Sequence, residues 1–174
     1  MGNPGSISPD AFEILVTREL RRSGIEPVSL RRSQARPSST DANRYTFDLV
    51  GRLQAYGHHW SALIECRNLR EIVTITDIDA LRQRADLAGA SSALLFVTSD
   101  VGAAAVTRAR AKAIPLLHIV DAQTALIAAG VIQAGQLPAW LPELTAEIVT
   151  LEGAHLLEAD QPELILRELR PARQ

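Results

Sequence analysis

Phe47-Asp48-Leu49-Val50-Gly51 and, after a short interval, Leu63-Ile64-Glu65-Cys66-Arg67 are the two runs on which the reading of this chain turns. Each is an apolar, β-type stretch that carries an acid where a hydrophobic residue would be expected, and a cation follows the second acid two places on. In a strand, residues i and i+2 share a face, so Glu65 and Arg67 project together while Ile64 and Cys66 point the other way. If the strands pair through the turn-like Tyr56-Gly57-His58-His59, Asp48 joins that face. Two carboxylates and a guanidinium on one sheet surface form either a divalent-metal site suited to phosphodiester chemistry or a structural ion-pair cluster.

Upstream, Ser8-Pro9-Asp10 opens a helix, with Ser8 as N-cap and Pro9 in the first turn. Phe12, Leu15, Val16 and Leu20 follow helical spacing to a stop at Gly24. Pro27 to Leu30 reads as a short strand, Ser33 to Asn43 as a polar loop, and Tyr45 to Gln54 and Trp60 to Arg67 as the central strands. Downstream, Asp77 is expected to cap a helix from about Ile78 to Leu87. Ala93 to Val97 reads as a strand covered on both faces, Val101 to Ala113 as a helix, Ile114 to Val120 as a further buried strand, and Asp121 to Ala129 as a short helix. Strands alternating with helices in this half imply parallel crossovers, whereas the middle hairpin is antiparallel, so a mixed sheet flanked by helices is expected.

From Gly130 the texture changes. Pro138, Pro142 and Pro162 punctuate an acidic segment in which Trp140 to Glu143 reads as the start of a brief helix and Glu147 to Leu151 as extended. Gln161 to Leu169 fits either helix or strand. The expected division is a domain over 1–129 and an extension over 130–174 that packs on the core or offers a surface to a second copy or a partner protein. With 174 residues, 47% hydrophobic and 22% charged, the chain suits a compact soluble domain. No apolar run approaches the ~20 residues of a membrane span, and Met1 to Ser8 lack the features of a signal peptide. The single cysteine, Cys66, excludes an internal disulfide and a cysteine-based zinc site, which makes the cytoplasm the expected compartment.

A net charge of −2 does not by itself suggest nucleic acid, but its distribution is uneven. The first 120 residues hold fifteen cations against twelve acids, and the remainder three against eight. Lys112 is the only lysine. Arginine favours bidentate contacts to phosphate or carboxylate, although arginine excess also follows from genomic base composition. Arg18, Arg22, Arg36 and Arg44, together with Arg21, Arg31 and Arg32, read either as a solvated surface or as a series that tracks the phosphates of double-stranded DNA. Gln83 faces away from the apolar stripe of its helix, towards DNA or water. His58 and His59 at the hairpin tip diverge to opposite faces and read as exposed turn residues, and His118 as a satisfied strand histidine. No glycine-rich phosphate loop follows any strand, which counts against a nucleotide-binding α/β domain.

The segment from Ala11-Phe12-Glu13 to Leu126 resembles the Mrr-like branch of the restriction-endonuclease-like superfamily. The likeness rests on Phe12-Glu13, Phe47-Asp48-Leu49, Ile64-Glu65-Cys66-Arg67, Phe96-Val97-Thr98-Ser99 before an alanine-rich helix, and Ile119-Val120-Asp121 followed by Leu126. It implies an α/β fold with a three-layer α/β/α core in the order helix, three strands, helix, strand, helix, strand. It further implies that Asp48 and Glu65 hold Mg²⁺ or Mn²⁺, that the residue at position 67 stabilises transition-state charge, and that Glu13 is a further acidic participant. The activity implied is a metal-dependent DNA endonuclease, or a nuclease-like subunit of a restriction, defence or repair system. One departure stands out, because the family has lysine where this chain has Arg67. Guanidinium is planar and effectively never deprotonated, so Arg67 either stabilises developing charge or neutralises Asp48 and Glu65 and excludes the metal. The second case implies a catalytically degenerate fold kept for DNA binding or assembly.

Overall fold

The computed structural model describes residues 2–34, 44–139 and 141–171. A 3-10 turn, Pro4–Ser6, leads into α1, Pro9–Arg22, where Ser8 accepts from the Ala11 amide at 3.2 Å and Asp10 lies in the first turn. The helix ends where Gly24 takes φ +93°, a left-handed conformation that costs glycine little. Two short pieces follow, β1 (Glu26–Pro27) and β2 (Arg31–Arg32), and both pair antiparallel with β3 (Tyr45–Ala55). The single strand expected over Pro27 to Leu30 is thus broken in two. Its middle crosses directly over Gly51, where a Cβ would collide with the Ser29 carbonyl oxygen.

β3 pairs antiparallel with β4 (His58–Asn68) over eleven residues, joined by Tyr56 and Gly57, both at positive φ. Such a two-residue loop matches the twist of the paired strands. His58 and His59 therefore belong to the strand, opposite Ala55 and Gln54, and not to the turn. α2 follows as Ile75–Leu87, three residues longer at its start than expected. Thr74 is its N-cap, and Asp77 is the third helical residue, whose carboxylate accepts from the Thr74 amide at 2.8 Å. The acid caps from inside the first turn and does not precede the helix.

β5 (Ser92–Val97) lies parallel to β4, and β6 (Leu116–Asp121) parallel to β5, with α3 (Ala103–Ala111) as the second crossover. α3 starts at Ala103 and not at Val101, because Val101 bridges Val73. α4 (Ala122–Ala128) is capped by Asp121, which accepts from the Thr124 amide at 2.8 Å. Next come β7 (Leu144–Thr150), antiparallel to β6, then β8 (Gly153–Leu156) and α5 (Glu163–Glu168). The sheet runs β1-β3-β4-β5-β6-β7-β8, with β2 also on β3. It therefore continues without a break past residue 129, where the sequence suggested a boundary, because β7 supplies the hydrogen-bond partner for the outer edge of β6. Leu141 to Glu143 are not helical, and Trp140 lies outside the described residues.

Two apolar layers sandwich the sheet. Phe12, Leu15, Val16 and Leu20 of α1, with Ile165 of α5, pack on Phe47, Leu49, Ile64, Cys66, Leu94, Phe96 and Ile148. On the opposite face Ile78, Leu81 and Ala85 of α2 and Ala105 and Ala109 of α3 pack on Leu63, Leu95, Val97 and Leu116. The result is the expected three-layer α/β/α arrangement around a mixed sheet. It places odd-numbered residues of β4 under α2. No helix among the described residues is long and apolar enough to cross a membrane.

Candidate active site

Asp48 and Glu65 stand directly opposite one another in the β3–β4 ladder. Opposed residues on paired strands project to the same side, and that side is the α2 face. Asp48 is 3% exposed and Glu65 2%, so the surrounding protein must compensate their charge. Arg84, from the last turn of α2, reaches both acids. Its Nη2 donates to Glu65 Oε2 at 2.5 Å and its Nε to Asp48 Oδ2 at 3.1 Å. Burial alone would lower the pKa of that guanidinium, but the adjacent Glu65 and Asp48 outweigh it and hold the pKa above the ordinary arginine value.

Arg67 projects to the same side of β4 as Glu65 but does not meet the acid pair. Its Nη1 donates to Asp77 Oδ1 at 2.9 Å, and its Nε is buried with no hydrogen-bond partner among the described residues. Burial tends to raise the Asp77 carboxyl, but the Thr74 amide and hydroxyl and the Arg67 guanidinium prevail and leave it below the usual aspartate value. Glu65 and Arg67 on the strand thus face Arg84 and Asp77 on the helix. Two oppositely directed ion pairs fix α2 on the sheet. Between the two facing runs, Cys66 points into the α1 layer, where burial, and after it Asp48 and Glu65, push its thiol well above the ordinary value.

The other candidates are dispersed. Glu13 belongs to α1, on the far side of the sheet, where its carboxylate accepts from Arg32 Nε at 2.7 Å. Arg32 also bonds Asp10 at 2.5 Å and lies over the Phe47 ring at 4.9 Å. No ion pair or hydrogen bond among the described residues brings Glu13 to Asp48 or Glu65. Arg18 and Arg22 flank the buried Glu19. Arg18 donates to the Leu144 carbonyl at 2.5 Å and Arg22 to the Leu157 carbonyl at 2.6 Å. Both arginines therefore tie α1 to the segment carrying β7 and β8. Arg44 pairs with Glu71 at the end of the hairpin, Gln83 is exposed on α2 beside Arg84, and Arg36 lies outside the described residues. No cluster of three or more histidines, cysteines and acids suited to a metal ion occurs among the described residues.

Arg84 is the residue that reading the sequence did not find. The sequence of the helix contained the signal. At positions 77, 81 and 84, with spacings of four and three, Asp77, Leu81 and Arg84 share one helical face. An acid and a cation on one helical face can pair with a strand that carries a cation and an acid, but only the way the helix lies on the sheet selects that pairing.

The family model described as restriction endonuclease, the Mrr-like catalytic domain, matches residues 5–126, which span α1 through most of α4. No curated protein and no solved structure matches the chain.

Proposed function

From the premise that this chain belongs to the restriction endonuclease family of Mrr-like catalytic domains, we propose that it hydrolyses phosphodiester bonds of double-stranded DNA, with Asp48 and Glu65 holding Mg²⁺ or Mn²⁺. The observation that carries this reading is the register. Two acids from neighbouring strands sit side by side on one face, inside the matched segment, in an otherwise apolar layer where an unpaired carboxylate is costly. The donor set suits the ion, because Mg²⁺ takes hard oxygen ligands and is commonly held by one or two carboxylates while keeping waters. When bound, such an ion lowers the pKa of a coordinated water and neutralises phosphate charge. Asp48 and Glu65 supply the oxygens, and the strand pairing holds them together. The guanidinium beside them is always charged and can carry negative charge building on a phosphate, but it cannot act as a base. Membership of a restriction, defence or repair system follows from the same reading.

A second reading is favoured by one specific feature, the guanidinium already placed on both acids. In that reading the site is a closed salt-bridge cluster, and the fold binds DNA or assembles with a partner without cutting. Plasmid DNA incubated with the protein and Mg²⁺ or Mn²⁺ separates the two. Nicking or linearisation by the wild type, reduced to background in Glu65→Ala, is the expected outcome. Salt-sensitive DNA binding by the wild type with no cleavage in either metal supports the second reading. In that case activity gained by Arg67→Lys identifies the lost lysine as the cause.

A further inference from the structure

We propose that Arg84 is the phosphate-facing cation of this site, and that in the free protein it occupies the place between Asp48 and Glu65 that a divalent ion takes when DNA is bound. The inference rests on reading those two acids as the cation-holding pair. It assigns to a helix residue the role that the strand position, Arg67, is expected to fill.

Arg67 is committed elsewhere. Its side chain is only 10% exposed, one of its Nη groups is bound to Asp77, and Asp77 in turn holds the Thr74 amide and hydroxyl at the start of α2. Moving Arg67 to a phosphate would break its ion pair with Asp77 Oδ1 and leave the capping carboxylate without its cation. Arg84 lies at the other end of the same helix, with 27% of its side chain exposed, and touches both acids at once. A guanidinium and a divalent ion compete for the same carboxylate lone pairs. The guanidinium offsets part of the charge of two nearly fully buried acids. A metal ion held by the same carboxylates would take over that compensation and free the partly exposed fork for another anionic acceptor. A phosphodiester presents paired oxygens that match it. Metal entry and phosphate capture are therefore linked through one side chain, and exposed Gln83 stands next to it on the same helix.

The linkage predicts effects of opposite sign, which a structural brace does not. In Arg84→Gln, Mn²⁺ binding to the free protein, measured by titration calorimetry, tightens on the order of tenfold, the ordinary size of coupling between two ligands of one site. Binding of a DNA duplex in Ca²⁺, measured by fluorescence anisotropy, weakens by a similar factor. Arg84→Lys keeps the charge without the fork and shifts both quantities in the same directions by less. It also serves as the test protein if Arg84→Gln does not fold by circular dichroism. Unchanged values for both ligands, or a parallel loss of both, overturn the proposal. If Mn²⁺ binds wild type and variant equally and that binding is lost in Glu65→Gln, only the role of Arg84 fails. If neither protein binds Mn²⁺, or if binding survives Asp48→Asn and Glu65→Gln, the acid-pair reading fails and this inference with it.

Discussion

Arg67 reaches Asp77 through one Nη while its Nε lies buried without an acceptor among the described residues, so Asp77 is a hydrogen-bond acceptor that this nearly buried guanidinium depends on. Removing that carboxylate charge leaves a donor desolvated and unmet, which costs about 1–3 kcal/mol. Asp77→Asn is therefore expected to lower the urea midpoint with little change in slope. The pH dependence has a definite sign. The Asp77 carboxyl lies below its ordinary value in the fold, so its contribution is fully present above the unfolded aspartate pKa of about 4. It is lost as pH falls through the depressed folded-state value. The stability gap between wild type and Asp77→Asn should be constant from neutral pH down to about 4–5 and close below that. A gap that persists undiminished at pH 2 would place the effect in the cap hydrogen bonds and not in the charge.

At the scale of elements, the β3–β4 hairpin was legible because alternation, a glycine turn and two misplaced acids all pointed to one register, and a slip by one residue would have turned Asp48 into the α1 layer. The placement of α2 over the sheet was not legible, since a helix can lie across strands at several angles and rotations, and each would bring a different cation to the acids. Long-range contacts of this kind decide that Arg84, and not Arg67, meets Glu65. They also decide that Arg18 and Arg22 serve Glu19 and two carbonyls. Gly51 shows the same limit within a strand. Its sequence context reads as plain β-structure, yet the backbone of Ser29 and Leu30 passes so close that a Cβ meets the Ser29 carbonyl oxygen, the Ser29 carbonyl carbon at 2.6 Å and the Leu30 Cα at 2.9 Å. The obstacle is backbone, so it cannot rotate away. Gly51→Ala is expected to cost about 1–3 kcal/mol, the range for overpacking, read as a lower thermal midpoint. Because β2 pairs with β3 at Val50 and Leu49, protection of the β2 amides from hydrogen exchange should fall more than protection in β5. A variant as stable as wild type would mean that the crossing segment moves aside freely.

For the whole molecule the consequential feature is that residues beyond 129 complete the sheet and one of its two apolar layers. Proline punctuation and acidity made 130–174 look like an appendage, because local composition reports the loops of that segment and not the partner its strands will find. β7 pairs along the whole length of β6, from Leu116 opposite Val149 to Asp121 opposite Leu144, while Ile148, Leu157 and Ile165 enter the layer under α1. Buried Glu19 is met there by Arg18 and Arg22 and by the Thr145 hydroxyl at 3.2 Å, and the two arginines also bond carbonyls at 144 and 157. Deleting this segment would expose the edge of β6, remove three large apolar side chains from the core and strip two arginines of their carbonyl acceptors. Each fully buried side chain of that size is worth about 1.5–3 kcal/mol, and their sum approaches the total stability of an ordinary domain, about 5–15 kcal/mol. A chain ending at residue 129 is therefore expected to show no cooperative thermal transition and to aggregate through its exposed strand edge, even though it contains every residue matched by the family model. The full-length chain should melt as one unit. A truncated chain that melts cooperatively within a few degrees of the full protein would show that 1–129 folds alone and that β7 and β8 are additions to a finished core.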